Sequence, residues 1–300
     1  MRINTSLALL NTFVLFAFML TLLTVMGHRP AGAIVAWVAG TNILGAAIIV
    51  WMLVDARGRF ADSEPVPISF RNYISYAMRV GSVSLVSLLN YRADVYVVAV
   101  FTPPAMLGMY TLAVTAAETL LAATQVTAVV TMPHVGSMDR DAAAQLTARC
   151  VRHNVIVAAV CCGLLALVAP SVVHLLYGAA FLPMVPALRI LLVGVFALSL
   201  GSPMSNFFTI RLGKPEVPLV LASASAAICI ATSIVLVPRI GLVGAAFGST
   251  LAYVLGQGAA IVYFSMISGI SAGRVLVPRV SDIETYGAIL SGFARRLRRT

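Results

Sequence analysis

Apolar residues run through this chain in blocks of about twenty, as in LALLNTFVLFAFMLTLLTVM (7–26) and VIVAAVCCGLLALVAPSVVHLL (155–176). The hydrocarbon layer of a bilayer is about 30 Å thick and a helix crosses it in about 20 residues, so blocks of this length read as membrane spans. In lipid, backbone groups must be bonded within the element, which leaves helices or closed barrels. Barrel strands alternate apolar with polar residues, and these blocks do not. Spans are expected at about Leu7–Met26, Ala31–Val54, Tyr73–Phe101, Leu107–Thr131, Val155–Leu176, Ala187–Phe208, Val217–Val237 and Val243–Ile267. The expected fold is therefore all-α, a polytopic membrane protein of about eight transmembrane helices. Composition agrees, with 60% hydrophobic and 10% charged residues and a mean hydropathy of +0.99.

An excess of 20 basic over 10 acidic residues could point to nucleic acid, but the placement of the charges points elsewhere. Arg2, Arg57, Arg59, Arg71, Arg140, Arg149, Arg152, Arg211, Lys214, Arg274, Arg279, Arg295, Arg296, Arg298 and Arg299 all fall on one side of the expected topology. Only Arg29 and Arg239 fall in the opposite loops, and Arg79, Arg92 and Arg189 lie within or at the ends of spans. The positive-inside rule then puts both termini on the cytoplasmic side of the membrane. No nucleic-acid partner is expected. The terminal run ARRLRRT is read as an anchor on anionic lipid, with a partner-binding role as the other reading.

The first apolar run is too long for the usual signal-peptide core, so it is taken as an uncleaved helix despite AGA at 31–33. Cys150, Cys161, Cys162 and Cys229 show no metal-ligand spacing and are read as small buried hydrophobes. His28, His134, His153 and His174 are scattered, and no outer loop holds paired carboxylates or a nucleophile with its base. Neither an enzyme nor a cofactor or metal site is expected. There is no GxxxxGK[ST] loop, so movement of a substrate would draw on an ion gradient, of H+ or Na+, or on the substrate's own gradient.

Two stretches look alike: RPAGAIVAWVAGTNILGAAIIV, leading into the second span, and VPRIGLVGAAFGSTLAYVLGQGAAIV, leading into the eighth. Gly32, Ala36 and Gly40 form a ridge of small residues in one, and Gly244, Gly248, Ala252 and Gly256 in the other. Residues four apart share a helix face, where missing side chains let a neighbour approach. Ordinary helix packing explains such ridges equally well. If the likeness is an internal repeat, residues 1–54 are the closing hairpin of a first lobe, 55–72 a cytoplasmic linker, 73–268 a six-helix second lobe and 269–300 a basic tail.

Polar residues at bilayer depth narrow the function. Arg79, Ser82, Ser87, Asn90 and Asp94 fall within an arc of about 140° on the third span, while Arg92 points away. A charge at bilayer depth costs at least about 2.5–3.5 kcal/mol, so such a face lines protein or a wet cavity. Near the ends of the span, Arg79 and Asp94 could instead snorkel. Arg92 is either an interface anchor or a partner for Asp94. Glu118, near the middle of the fourth span, shares a face with Gln125. A lone carboxylate there would suit proton exchange or gating, and one bonded across helices or paired with an arginine would be structural. In the sixth span, Pro203 should kink the helix, as a hinge or as a static bend.

The run NYRADVYVVAVFTPPAMLGMYTLAVTAAETL resembles the seventh and eighth helices of bacterial polysaccharide flippases of the multidrug/oligosaccharidyl-lipid/polysaccharide exporter superfamily. LLYGAAFLPMVPALRILLVG is similar to the family's tenth helix and its approach, and RLGKPEVPLVLASA and LVPRIGLVGAAFGSTLAYVLG to the eleventh and twelfth. Order and spacing carry the resemblance, over about residues 1 to 268. It implies two six-helix lobes around a central cavity, with this chain equivalent to helices five to twelve. A chain so shortened would be a truncated product, the result of a misplaced start, or one part of a two-chain transporter. The implied substrate is a polyprenyl-diphosphate-linked oligosaccharide for cell-surface polysaccharide. Arg79 and Arg92 are the implied diphosphate contacts, since guanidinium suits phosphate. Asp94, Asn90, Glu118, Gln125 and Arg189 complete the implied cavity. The alternatives are a multidrug/cation antiporter of the same fold and a non-transporting scaffold beside polysaccharide assembly proteins.

Overall fold

The computed structural model describes residues 70–279 continuously and, before them, residues 21, 38, 42–43, 45–47, 49–51 and 54. The expected spans Leu7–Met26 and Ala31–Val54, the Gly32–Gly40 ridge, most of the linker and the terminal arginines lie outside the described residues, apart from those positions. The chain divides into two units, Met1–Ile68 and Ser69–Thr300. The described residues of the first unit are helical, with Asn42 Nδ2 donating to Val38 O one turn back at 2.7 Å.

The described part of the second unit contains helices and turns, with no strand. Its elements are α1 (Phe70–Phe101), α2 (Pro104–Thr119), α3 (Leu121–Ser137), α4 (Arg140–Tyr177), a 3-10 turn (Ala179–Met184), α5 (Val185–Ser199), α6 (Gly201–Asn206), a π turn (Phe207–Arg211), α7 (Glu216–Ile240), α8 (Leu242–Ser268) and α9 (Ala272–Leu276). Among the described residues, five stretches are long and apolar enough to cross a membrane alone: Ile74–Phe101, Arg140–Tyr177, Ala179–Arg211, Glu216–Ile240 and Leu242–Ser268. The pair α2 and α3 makes a sixth crossing if taken as one broken span. This is a multi-pass, all-α membrane protein.

Two of the expected spans are not simple rods. Leu107–Thr131 was expected as one helix, but the chain bends by 40° between α2 and α3. No proline lies at the bend. Instead, Thr111, Thr115 and Thr119 turn their hydroxyls back onto the carbonyls of Leu107, Thr111 and Thr115, and Thr124 onto that of Leu121. Such back-bonding competes with the helical ladder and bends it. Ala187–Phe208, where Pro203 was expected to kink the helix, is interrupted at Leu200 and ends in the π turn.

The fifth span begins well before its expected start at Val155. Helix α4 runs for 38 residues from Arg140, because its first turns are amphipathic. Ala143, Ala144, Ala148 and Val151 are buried in a cluster with Val135, Met204, Phe207 and Phe264. Arginines secure this end of the bundle: Arg140 Nη2 donates to Ile267 O at 2.7 Å and Arg152 Nη1 to Arg274 O at 3.0 Å. Both carbonyls lie near helix C-termini, where no backbone donor of the same helix reaches them.

The ridge on α8 works as the spacing suggested. A Cβ on Gly244 would lie 2.5 Å from Leu236 O, and one on Gly248 2.7 Å from Ser233 Oγ. The missing side chains are what let α7 lie directly on α8, and α7 packs in turn on α1.

Candidate functional site

The interruption between α5 and α6 follows from one residue. Pro203 has no N–H, so the carbonyl four residues back, on Ser199, loses its helical partner. Asn154 on α4, fully buried, donates its Nδ2 to that oxygen at 2.8 Å. Thr127 on α3 in turn bonds Asn154 Oδ1 at 2.7 Å, so three crossings meet at the break.

Beside the break is a cavity of about 290 Å³. From α1 come Ser87, Asn90 and Tyr91; Gln125 comes from α3; Ser202, Ser205 and Asn206 come from α6; Ser225 comes from α7 and Gln257 from α8. Among the described residues, every polar side chain in this lining is uncharged. Asn206 Nδ2 is engaged by Ala128 O at 3.0 Å, and Ser225 Oγ by Ala252 O at 3.0 Å. Gly201 leaves room for the Gln257 amide, since a Cβ there would lie 2.5 Å from Gln257 Oε1. Two acceptors are unspent: Asn90 Oδ1 and Gln257 Oε1 are buried with no hydrogen-bond partner.

Further along α1 lie the charged groups. Arg92 Nη2 and Glu118 Oε2 are 3.2 Å apart, both side chains partly exposed, and the other Glu118 oxygen is buried without a hydrogen bond. The pairing reading of Glu118 is the one the structure adopts, with Arg92 of the neighbouring helix as partner. Asp94 is 1% exposed and takes hydrogen bonds from Tyr110 Oη and Ser249 Oγ, each at 2.6 Å, and from Val95 N at 2.7 Å. It ties α1 to α2 and α8 and is not part of the cavity lining.

The remaining expected cavity residues sit elsewhere. Arg79 is exposed and bonds within its own helix, to Ser75 O and Ser75 Oγ at 3.3 Å each. Arg189 Nε donates to Ala166 O at 3.0 Å. That carbonyl lies four residues before Pro170, so Arg189 serves a second proline-freed acceptor. Of the seven residues expected from sequence, Asn90 and Gln125 meet at the cavity and Arg92 and Glu118 meet each other.

Gln257, Asn206, Ser225 and Gly201 went unrecognised as site residues. Gln257 carries a signal of its own, as an amide inside the apolar run YVLGQGAAIV. The inward direction of Ser225 and Asn206 depends on helix rotation, which the sequence does not display.

A family model described as a polysaccharide biosynthesis protein matches residues 5–186, more than half of the chain. No curated protein and no solved structure matches it.

Proposed function

Because the chain belongs to the polysaccharide biosynthesis protein family, we propose that it moves a polyprenyl-diphosphate-linked oligosaccharide from the cytoplasmic to the outer leaflet of the bacterial inner membrane. The product would feed cell-surface polysaccharide assembly, and both termini would face the cytoplasm. The observation that carries this reading is the cavity between membrane-crossing helices whose described polar side chains are all uncharged. A polar group moved into an apolar medium without a partner costs roughly 2–7 kcal/mol, so a glycan needs a path that offers hydrogen bonds throughout. The lipid tail, by contrast, can stay in the bilayer. Guanidinium groups are the suited contacts for the diphosphate, with Arg92 the candidate nearest the cavity-lining turns of α1. Transport rather than catalysis is inferred, driven by an H+ or Na+ gradient or by consumption of the product outside.

An organic-cation exporter would be served by a carboxylate in the cavity. None of the described residues that line it is a carboxylate, and Glu118 is matched by Arg92. The test is reconstitution of the full chain into vesicles carrying an undecaprenyl-diphosphate-linked oligosaccharide. The readout is the fraction of glycan that an external lectin can reach. That fraction should climb above the outer-leaflet share in protein-containing vesicles. A fraction that stays at that share would refute the transport reading and favour a scaffold among polysaccharide assembly proteins.

A further inference from the structure

The cavity and the charged pair offer different chemistry, and a lipid-linked glycan has two chemically different parts. A diphosphate is anionic and calls for guanidinium or ammonium. Among the described residues the lining supplies neither, its polar side chains being amides and hydroxyls alone. Uncharged sugars present hydroxyls that both donate and accept, and side-chain amides do the same.

We propose that the cavity beside the Pro203 break is a subsite for one uncharged sugar unit of the glycan and excludes the diphosphate. The inference rests on the transport reading above and assigns the sugar-recognising groups within it. Asn90 and Gln257 both line this space, and a turn of each amide would bring its unsatisfied oxygen, now buried, to a sugar hydroxyl. Leaving a buried polar group unsatisfied is costly, and native structures leave few. Asn90 comes from α1 and Gln257 from α8, so one ring between them would be gripped from two separate crossings. Gly201 on α6 is a positioning residue: its missing side chain sets where the Gln257 amide rests. At about 290 Å³ the space lies just below the roughly 300–1,000 Å³ of ligand pockets, which suits one ring rather than a chain of them. The aromatic residues Tyr91 and Phe208 contribute apolar wall, against which the C–H face of a ring can lie.

The test is native mass spectrometry of the purified full chain with undecaprenyl diphosphates that carry glucose, galactose, N-acetylglucosamine, glucuronic acid or no sugar. At least one neutral-sugar lipid should bind about tenfold more tightly than the sugarless lipid, the return on one or two well-made hydrogen bonds. The glucuronic acid lipid should gain no such advantage. Gln257→Met and Asn90→Ala should each lower the affinity for that neutral-sugar lipid towards the sugarless value and leave sugarless binding unchanged. Gly201→Ala should act in the same direction through Gln257. Equal affinity for sugarless and all sugar-bearing lipids, a preference for glucuronic acid, or equal losses for both lipids in the variants would overturn the inference while sparing the transport reading. If none of the lipids binds, the transport reading falls, and the sugar subsite with it.

Discussion

Asn154 Nδ2 and the carbonyl oxygen of Ser199 lie 2.8 Å apart, and Pro203 is the reason that the oxygen is available. A side chain on one crossing thus completes the backbone of another. Asn154→Leu should lower the melting temperature of the detergent-solubilised protein, because a buried carbonyl without a donor costs roughly 1–3 kcal/mol. Adding Pro203→Ala should recover part of the loss, since alanine restores the N–H that the carbonyl lacks. Strictly additive losses in the two variants would mean that the pair is not coupled.

Arg189 and Pro170 repeat the arrangement at Ala166 O. Arg189→Met should destabilise the fold, and Pro170→Ala should soften that loss in the double variant. Surface polysaccharide output per folded molecule should stay near normal in Arg189→Met, because this arginine serves a helix carbonyl. A collapse of output with stability intact would instead put Arg189 on the substrate path.

Arg92 and Glu118 form a pair at 3.2 Å, and one carboxylate oxygen is already without a hydrogen bond. Removing only the arginine strands a charge, whereas removing both does not. Thermal unfolding should accordingly rank Arg92→Met below the Arg92→Met/Glu118→Met double variant. The reverse order would show that the pair contributes nothing as a pair.

Gly244 and Gly258 share one helix and differ in their surroundings. A methyl on Gly244 would meet the Leu236 backbone, and nothing lies within 4 Å of one on Gly258. Gly244→Ala should cost about 1–3 kcal/mol through overpacking of α7 on α8. Gly258→Ala should be neutral or stabilise by about 0.4–1 kcal/mol, by reducing the freedom of the unfolded chain. Equal melting temperatures for the two variants would show that α7 and α8 can separate without penalty.

Membrane spans are legible in a sequence because lipid imposes one requirement along the whole length of a helix, and Tyr73–Phe101, Val217–Val237 and Val243–Ile267 each meet it without interruption. The α8 ridge was legible for a similar reason, as four-residue spacing places small residues on one face whatever packs there. Helix rotation and partnership are different, because they depend on neighbours distant in sequence. From the chain alone, Asp94 and Asn90 share a stripe. Only the packed bundle turns Asp94 towards Tyr110 and Ser249 and leaves Asn90 facing the cavity with Gln257, which lies 167 residues further along. The kink at Pro203 was legible in the proline itself, whereas the 40° bend between α2 and α3 and the donor that Asn154 supplies to Ser199 O became visible only in the packed bundle. Local apolar pattern determined which segments cross the bilayer, and tertiary packing decided which polar groups were satisfied in doing so and which were left open.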